Sequence, residues 1–286
     1  MADVAQIEEE VTIVPSQSVI YAQDKAQIDV QISTAKAYPR NVTKATQNAI
    51  AMATLDKETA ETCNYAVPRG GKQIVGPSVH LARILIQQWG NLKAGARVVD
   101  IDQTHVTSEA ICYDLETNIA ITVQVKRSII GKTGRFSEDM ITVTGNAANA
   151  IALRNAVFNV IPKGVVDKAY KAAKDMITGD ISDANKLIAK RKAVVDKLKD
   201  TYSVTEEEIL RSIGKASIDH IGPDEIVALI GFGQAIKDGD TTIDQVFRPE
   251  KKGSKKDEAY SGVFDSEKEK TAPETEKEKM GKQDRA

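Results

Sequence analysis

Residues 94–102, 106–114 and 119–130 form three consecutive runs in which apolar and polar side chains nearly alternate, and no other feature of the chain restricts its fold as strongly. The segments between them, 102–105 and 115–118, are short and read as hairpin turns, so the runs fold back on one another as a three-stranded antiparallel β-meander. In the third run Ile119, Ile121, Val123, Val125 and Ile129 share one face, while Thr122, Gln124 and Lys126 share the other. One face of the sheet is therefore wet, and the other needs a cover.

The cover stands just downstream. Residues 145–162, GNAANAIALRNAVFNVIP, read as a helix that stops at Pro162, with alanines small enough to let it lie close to a partner backbone. Ala147, Ile151, Arg154, Phe158 and Ile161 fall on one helical stripe, which sets a single cation among apolar neighbours. Arg154 either reaches a carboxylate or carbonyl in the core or lines a groove for a polyanion, and composition alone leaves both open.

The remaining segments give an α+β chain, helices flanking the meander. Residues 1–35 are acidic and weakly patterned, an N-terminal arm in which QSVIYAQDKAQIDVQIS reads as one strand or a docking segment. After Asn41, a candidate cap, VTKATQNAIAMATLDKETAETC reads as a helix ending near Asp56 or continued by a short second one, and a loop follows. Gly70 and Gly71 mark a turn and residues 72–75 a short strand; Gly76-Pro77-Ser78 then opens a helix that buries Leu81, Ile84, Leu85 and Trp89 and ends at Gly90. Two more helices, in VVDKAYKAAKDMITGD and SDANKLIAKRKAVVDKLKDTYS, complete a core with a helical extension over residues 36–200. Residues 201–248 read as a small helical unit, with Thr205 and Glu208 as a capping box, Pro223 opening a second helix and the turn Asp238-Gly239-Asp240 before a last short one. Residues 249–286 carry 10 cations and 10 anions with almost no aliphatic side chain, the composition of a disordered tail.

The formal net charge of -2 conceals a partition. Residues 36–97 hold nine cations against three acids, and residues 126–200 hold 15 against eight. Two basic blocks around an acidic one suit a polyanion track. Cys63 and Cys112 stand far apart with no His or Cys at ligand spacing, so neither a disulfide framework nor a zinc site is indicated. The opening MADVAQIEEEV has no basic or apolar leader character, and no apolar run approaches the roughly 18 residues of a membrane span; the expectation is a chain of the reducing cytosol.

Catalytic patterns are weak. Gly131-Lys132-Thr133 resembles the end of a phosphate loop, but Lys126 stands where the first glycine is needed and Gly134-Arg135 where the helix should begin. His80, His105 and His220 make no ligand or triad spacing. Asp100, Asp102, Asp114 and Glu116 could hold a divalent metal for nuclease chemistry if the strands gathered them, which is the alternative reading; a non-catalytic scaffold is another. What remains is a binding apparatus of cations: Arg69 and Lys72 flanking the glycine turn, Lys126 and Arg127 closing the third strand, Lys132 and Arg135 in the glycine loop, Arg154 and Lys163 on and after the long helix. With aromatics at 5% and no cluster of base-reading side chains on a helix, phosphate tracking fits better than stacking or duplex readout. Annealing needs that mode, because the pairing edges of the bases must stay free.

The order helix, three-stranded meander, long helix, together with RGGKQIVG followed by SVHLARILIQQWGN and the closing AIALRNAVFNVIPK, resembles the single-strand annealing proteins of the Rad-fifty-two superfamily, among them the phage recombinases Erf, RecT and Red-beta. The resemblance covers about residues 40–175. It implies cofactor-free, ATP-independent binding and annealing of single-stranded DNA in recombination or repair, by a homo-oligomeric ring or filament, with no catalytic residue. Arg69 and Arg154, the latter in the Ala152-Leu153-Arg154 step, match positions that face the strand, and Lys72 is a weaker match. The cation beside that step in eukaryotic relatives is replaced by Ile151 and Ala152, which makes the groove less basic there. The C-terminal regions of phage members dock partners, here an exonuclease or a single-strand binding protein.

Overall fold

The first element departs from the sequence reading. Gln17–Ala37 is a helix, α1, not a strand. Ile28, Val30 and Ile32 mimic a period of two, but Ile28, Gln31, Ile32 and Ala35 are the inward positions, spaced as a helix requires, and Val30 is 65% exposed. The computed structural model describes residues 17–69, 72–131, 133–179 and 184–249. The readings of residues 1–16 as part of an arm, of Gly70 and Gly71 as a turn, of Lys132 as a loop cation and of the tail from residue 250 lie outside the described residues.

Two short helices follow, α2 (Val42–Ala53), capped by the Asn41 side chain, and α3 (Lys57–Thr62), capped by Asp56. The segment expected to be a loop is instead strand β1 (Asn64–Arg69), paired antiparallel with β2 (Lys72–Pro77). Pro77 closes β2 rather than opening a helix; Ser78 is the cap of α4 (Val79–Trp89), its hydroxyl accepting from the His80 and Leu81 amides. Leu81, Leu85 and Trp89 are buried and Ile84 half-buried, and Gly90 ends the helix at φ 71°.

Strands β3 (Leu92–Ile101), β4 (His105–Asp114) and β5 (Ile119–Ser128) form the meander in the order β3-β4-β5. A two-residue pair, β6 (Ile130–Gly131) and β7 (Gly134–Arg135), leads to the covering helix α5 (Glu138–Val160), which begins seven residues before the alanine-rich run. Gly145 explains how close α5 lies: a methyl there would stand 3.1 Å from the Val98 side chain. Ala148, Ala152 and Ala156 are fully buried, and the core beneath α5 joins α2, α4 and the inner sheet face to α6 (Lys163–Thr178).

The later helices are α7 (Ala184–Tyr202), α8 (Glu206–Ile213) with its Thr205–Glu208 capping box, α9 (Pro223–Lys237) and α10 (Ile243–Phe247), with a short 3-10 turn at Ile218–His220. They share a core of their own that includes Val194, Val195 and Leu198 of α7, so a division at residue 200 cuts α7 from the side chains it packs against. That core is closed by Ala66 of β1, and the described residues all belong to one unit, Met1–Pro249. Helix α9 lies almost backbone to backbone on β1: a methyl on Gly231 would sit 2.7 Å from the Ala66 nitrogen. Buried Asn64 fixes the contact, donating to the Val227 carbonyl at 2.7 Å and accepting from the Tyr170 hydroxyl at 2.6 Å. Among the described residues no helix is long and apolar enough to cross a membrane.

Candidate nucleic-acid interface

The expected cations do not gather into one track. Arg69 ends β1 with its side chain exposed, and Lys72 is its register partner across the hairpin. Lys126 is exposed on the outer face of β5, opposite Thr107. Arg135 is exposed and donates to the Asp102 carbonyl at 2.7 Å, beside the β3–β4 turn. Lys163 at the start of α6 is paired with Asp167 at 2.5 Å.

Arg127 and Arg154 do meet, but within the fold. Strand alternation turns Arg127 to the face opposite Lys126, where both of its terminal nitrogens donate to the Asp240 carbonyl at 3.2 Å. Arg154 lies over the Tyr65 ring at 4.2 Å, with its guanidinium 3.9 Å from the Asp240 carboxylate and its side chain 12% exposed. Of the two readings open at the sequence level, the internal one describes this conformation. Burial pushes the Arg127 guanidinium below its ordinary value, and Asp240 opposes this only in part. Burial likewise pushes the Asp240 carboxyl up against the pull of Arg154 and Arg127.

The open groove is on another stripe of α5. Asn146, Asn149, Ala150 and Leu153 recur at helical spacing, and together with Arg83 of α4 and Ala96 of β3 they line a cavity of about 310 Å³. Arg83 is exposed and has no ion pair among the described residues. The Asn149 side-chain oxygen is buried without a hydrogen-bond partner, a condition that costs about 1–3 kcal/mol when nothing fills it. The groove thus presents the Arg83 cation, the Asn146 and Asn149 side chains and an apolar lip, with no carboxylate and no aromatic in its lining. The asparagine stripe was visible in the sequence; its pairing with Arg83, more than 60 residues away, was not.

The carboxylates considered for a metal do not converge. Asp114 and Glu116 lie at the β4–β5 turn and Asp102 at the β3–β4 turn, separated by the length of β4, about 30 Å at the usual rise. Asp114 and Glu116 instead hold Arg40. Among the described residues no group of three or more His, Cys, Asp or Glu is arranged to hold a metal. Cys63 and Cys112 are buried, and burial pushes their thiols up to about 12 and about 11, so neither is primed as a nucleophile at neutral pH. No family model, no curated protein and no solved structure matches this chain.

Proposed function

We propose that the chain binds and anneals single-stranded DNA without ATP or cofactor, as a homo-oligomer acting in recombination or repair, in the bacterial cytosol if it is phage-encoded. The observation that carries this reading is the groove between α4, β3 and α5, lined by Arg83, which has no ion pair among the described residues, and by Asn146, Asn149, Ala150 and Leu153. One guanidinium suits a phosphodiester, and neutral amides and methyl groups suit a sugar-phosphate chain more than any one base. No aromatic side chain in the lining offers a stacking platform for bases. Exposed Arg69 and Lys126 add positive charge outside the groove. The order α4, meander, α5 agrees with the helix, three-stranded meander and long helix on which the resemblance to annealing proteins rests.

Annealing of two complementary labelled oligonucleotides, followed by energy transfer with chelator and no nucleotide, tests the proposal. The expected result is a pairing rate raised well above the spontaneous one by the full chain. A rate equal to the spontaneous one contradicts it, and strand cleavage that appears on adding magnesium or manganese supports the nuclease alternative.

A further inference from the structure

The turn between α9 and α10 carries two acids on either side of a glycine, Asp238-Gly239-Asp240. Gly239 takes φ 75°, and a methyl there would stand 3.7 Å from the Ala147 Cβ, so the turn lies flat on α5. It sets oxygen acceptors against basic side chains from three elements of the core. The His80 ring of α4 is 3.0 Å from the Asp238 carboxylate, which also accepts from Gln234 at 2.9 Å. Arg127 of β5 and Arg154 of α5 meet Asp240.

The fit is poor where charge is greatest. One Asp240 carboxylate oxygen is buried with no partner, and the other is 3.9 Å from Arg154, beyond hydrogen-bond reach. Arg127 receives a carbonyl rather than a carboxylate. Buried charges that lack full hydrogen bonding recover little of what they lose in leaving water. Two guanidinium groups that reach one residue can each donate to one of the two non-bridging oxygens of a phosphodiester. The segments flanking the turn are anchored independently, α9 by Gly231 on β1 and α10 by buried Val246 and Phe247, which confines any displacement to the turn itself.

We propose that the Asp238–Asp240 turn is a displaceable acidic plug over a masked phosphodiester site formed by Arg127 and Arg154, so that the C-terminal helices restrain single-strand binding by the core. This rests on the function proposed above. Displacement by the strand would add two guanidinium contacts to that of Arg83, with Arg154 on α5, the helix that also lines the groove.

The test uses the full chain and a fluorescein-labelled oligo-dT at low salt. Asp240→Asn keeps the shape of the plug and removes the carboxylate charge next to Arg154; it is expected to bind at least about fivefold more tightly than wild type, the lower end of couplings between sites. A second variant, Ala147→Cys with Gly239→Cys, places the two Cβ atoms near the 3.7 Å that a disulfide spans. Its oxidised form is expected to bind more weakly than the same protein after reduction. Unchanged or weaker binding by folded Asp240→Asn, or equal binding by the oxidised and reduced forms, overturns the plug while wild-type binding leaves the functional reading standing. Absence of binding by wild type and by both variants overturns both.

Discussion

Two buried clusters of opposite charge sit in this fold, and they are satisfied to very different degrees. Arg40, between α1 and α2, gives both terminal nitrogens to Asp114 at 2.5 and 2.7 Å, its Nε and its backbone amide to Glu116 at 2.9 Å, and lies over the Trp89 ring at 4.9 Å. Asn91 completes the set, donating to Glu116 at 2.6 Å and to the Tyr38 carbonyl. Burial works against the charge on Arg40, yet its hydrogen bonds to Asp114 and Glu116 outweigh that and hold the guanidinium above its ordinary value. At Asp240 the balance is reversed, with an orphan oxygen and a guanidinium answered by a carbonyl. A cluster whose charged groups are all hydrogen-bonded ties elements together, here α2, α4 and the β4–β5 turn, even though the indole N–H of Trp89 beside it has no partner. A cluster with bonds left over is suited to exchange partners.

The comparison is broken most forcefully at Arg40. Arg40→Ala leaves buried Asp114 and half-buried Glu116 without their cation, and urea denaturation is expected to show a loss of about 3 kcal/mol. Asp240→Asn is expected to cost less than Arg40→Ala, because Asp240 makes no hydrogen bond to Arg154 at 3.9 Å and Arg127 keeps its bonds to the backbone carbonyl of residue 240. Equal losses at the two sites would remove the distinction.

The smallest effect is in the pH dependence, where the two clusters have opposite signs. For Glu116 burial acts to raise the carboxyl, but the hydrogen bonds from Asn91 and Arg40 win and hold it below the ordinary 4.5. Its contribution is complete above 4.5 and is lost as the pH falls through the lowered native value. Asp240 is raised above the ordinary 3.8, so the native state binds more protons there than the unfolded state does. Its ionisation therefore costs stability above the raised value, and the cost vanishes below 3.8. Denaturation curves taken from neutral pH down to about 3 are expected to show Glu116→Gln losing less stability on acidification than wild type, and Asp240→Asn losing more.

The meander and its covering helix were legible because their signals are local: alternation, short turns, an alanine run and caps lie within a few residues of the elements they specify. Helix α1 was misread where Ile28, Val30 and Ile32 alternate by accident, and β1 was missed because Asn64 to Arg69 contains a proline and no clean alternation. The site was legible only in part. Lys126 and Arg127 are neighbours in sequence, yet strand geometry sends them to opposite faces. Arg154 meets Asp240, Arg40 meets Asp114, and Arg83 faces Asn149, each pair separated by more than 60 residues. Periodicity carries no information about such pairings; they follow from topology. The cation that sequence singled out, Arg154, lies against an acid from the C-terminal helices, while Arg83, which sequence counted only in the first basic block, has no ion pair among the described residues.

The central claim is that this chain binds single strands through phosphate contacts that include Arg83. Fluorescence anisotropy of a labelled oligo-dT across a salt series, for wild type and Arg83→Ala, tests it most directly. Wild type is expected to bind at low salt with an affinity that falls linearly on a log-log plot, and Arg83→Ala to bind more weakly with a slope shallower by about 0.7, the loss of one phosphate contact. No binding by wild type at the lowest salt, or binding that does not respond to salt, would contradict the account.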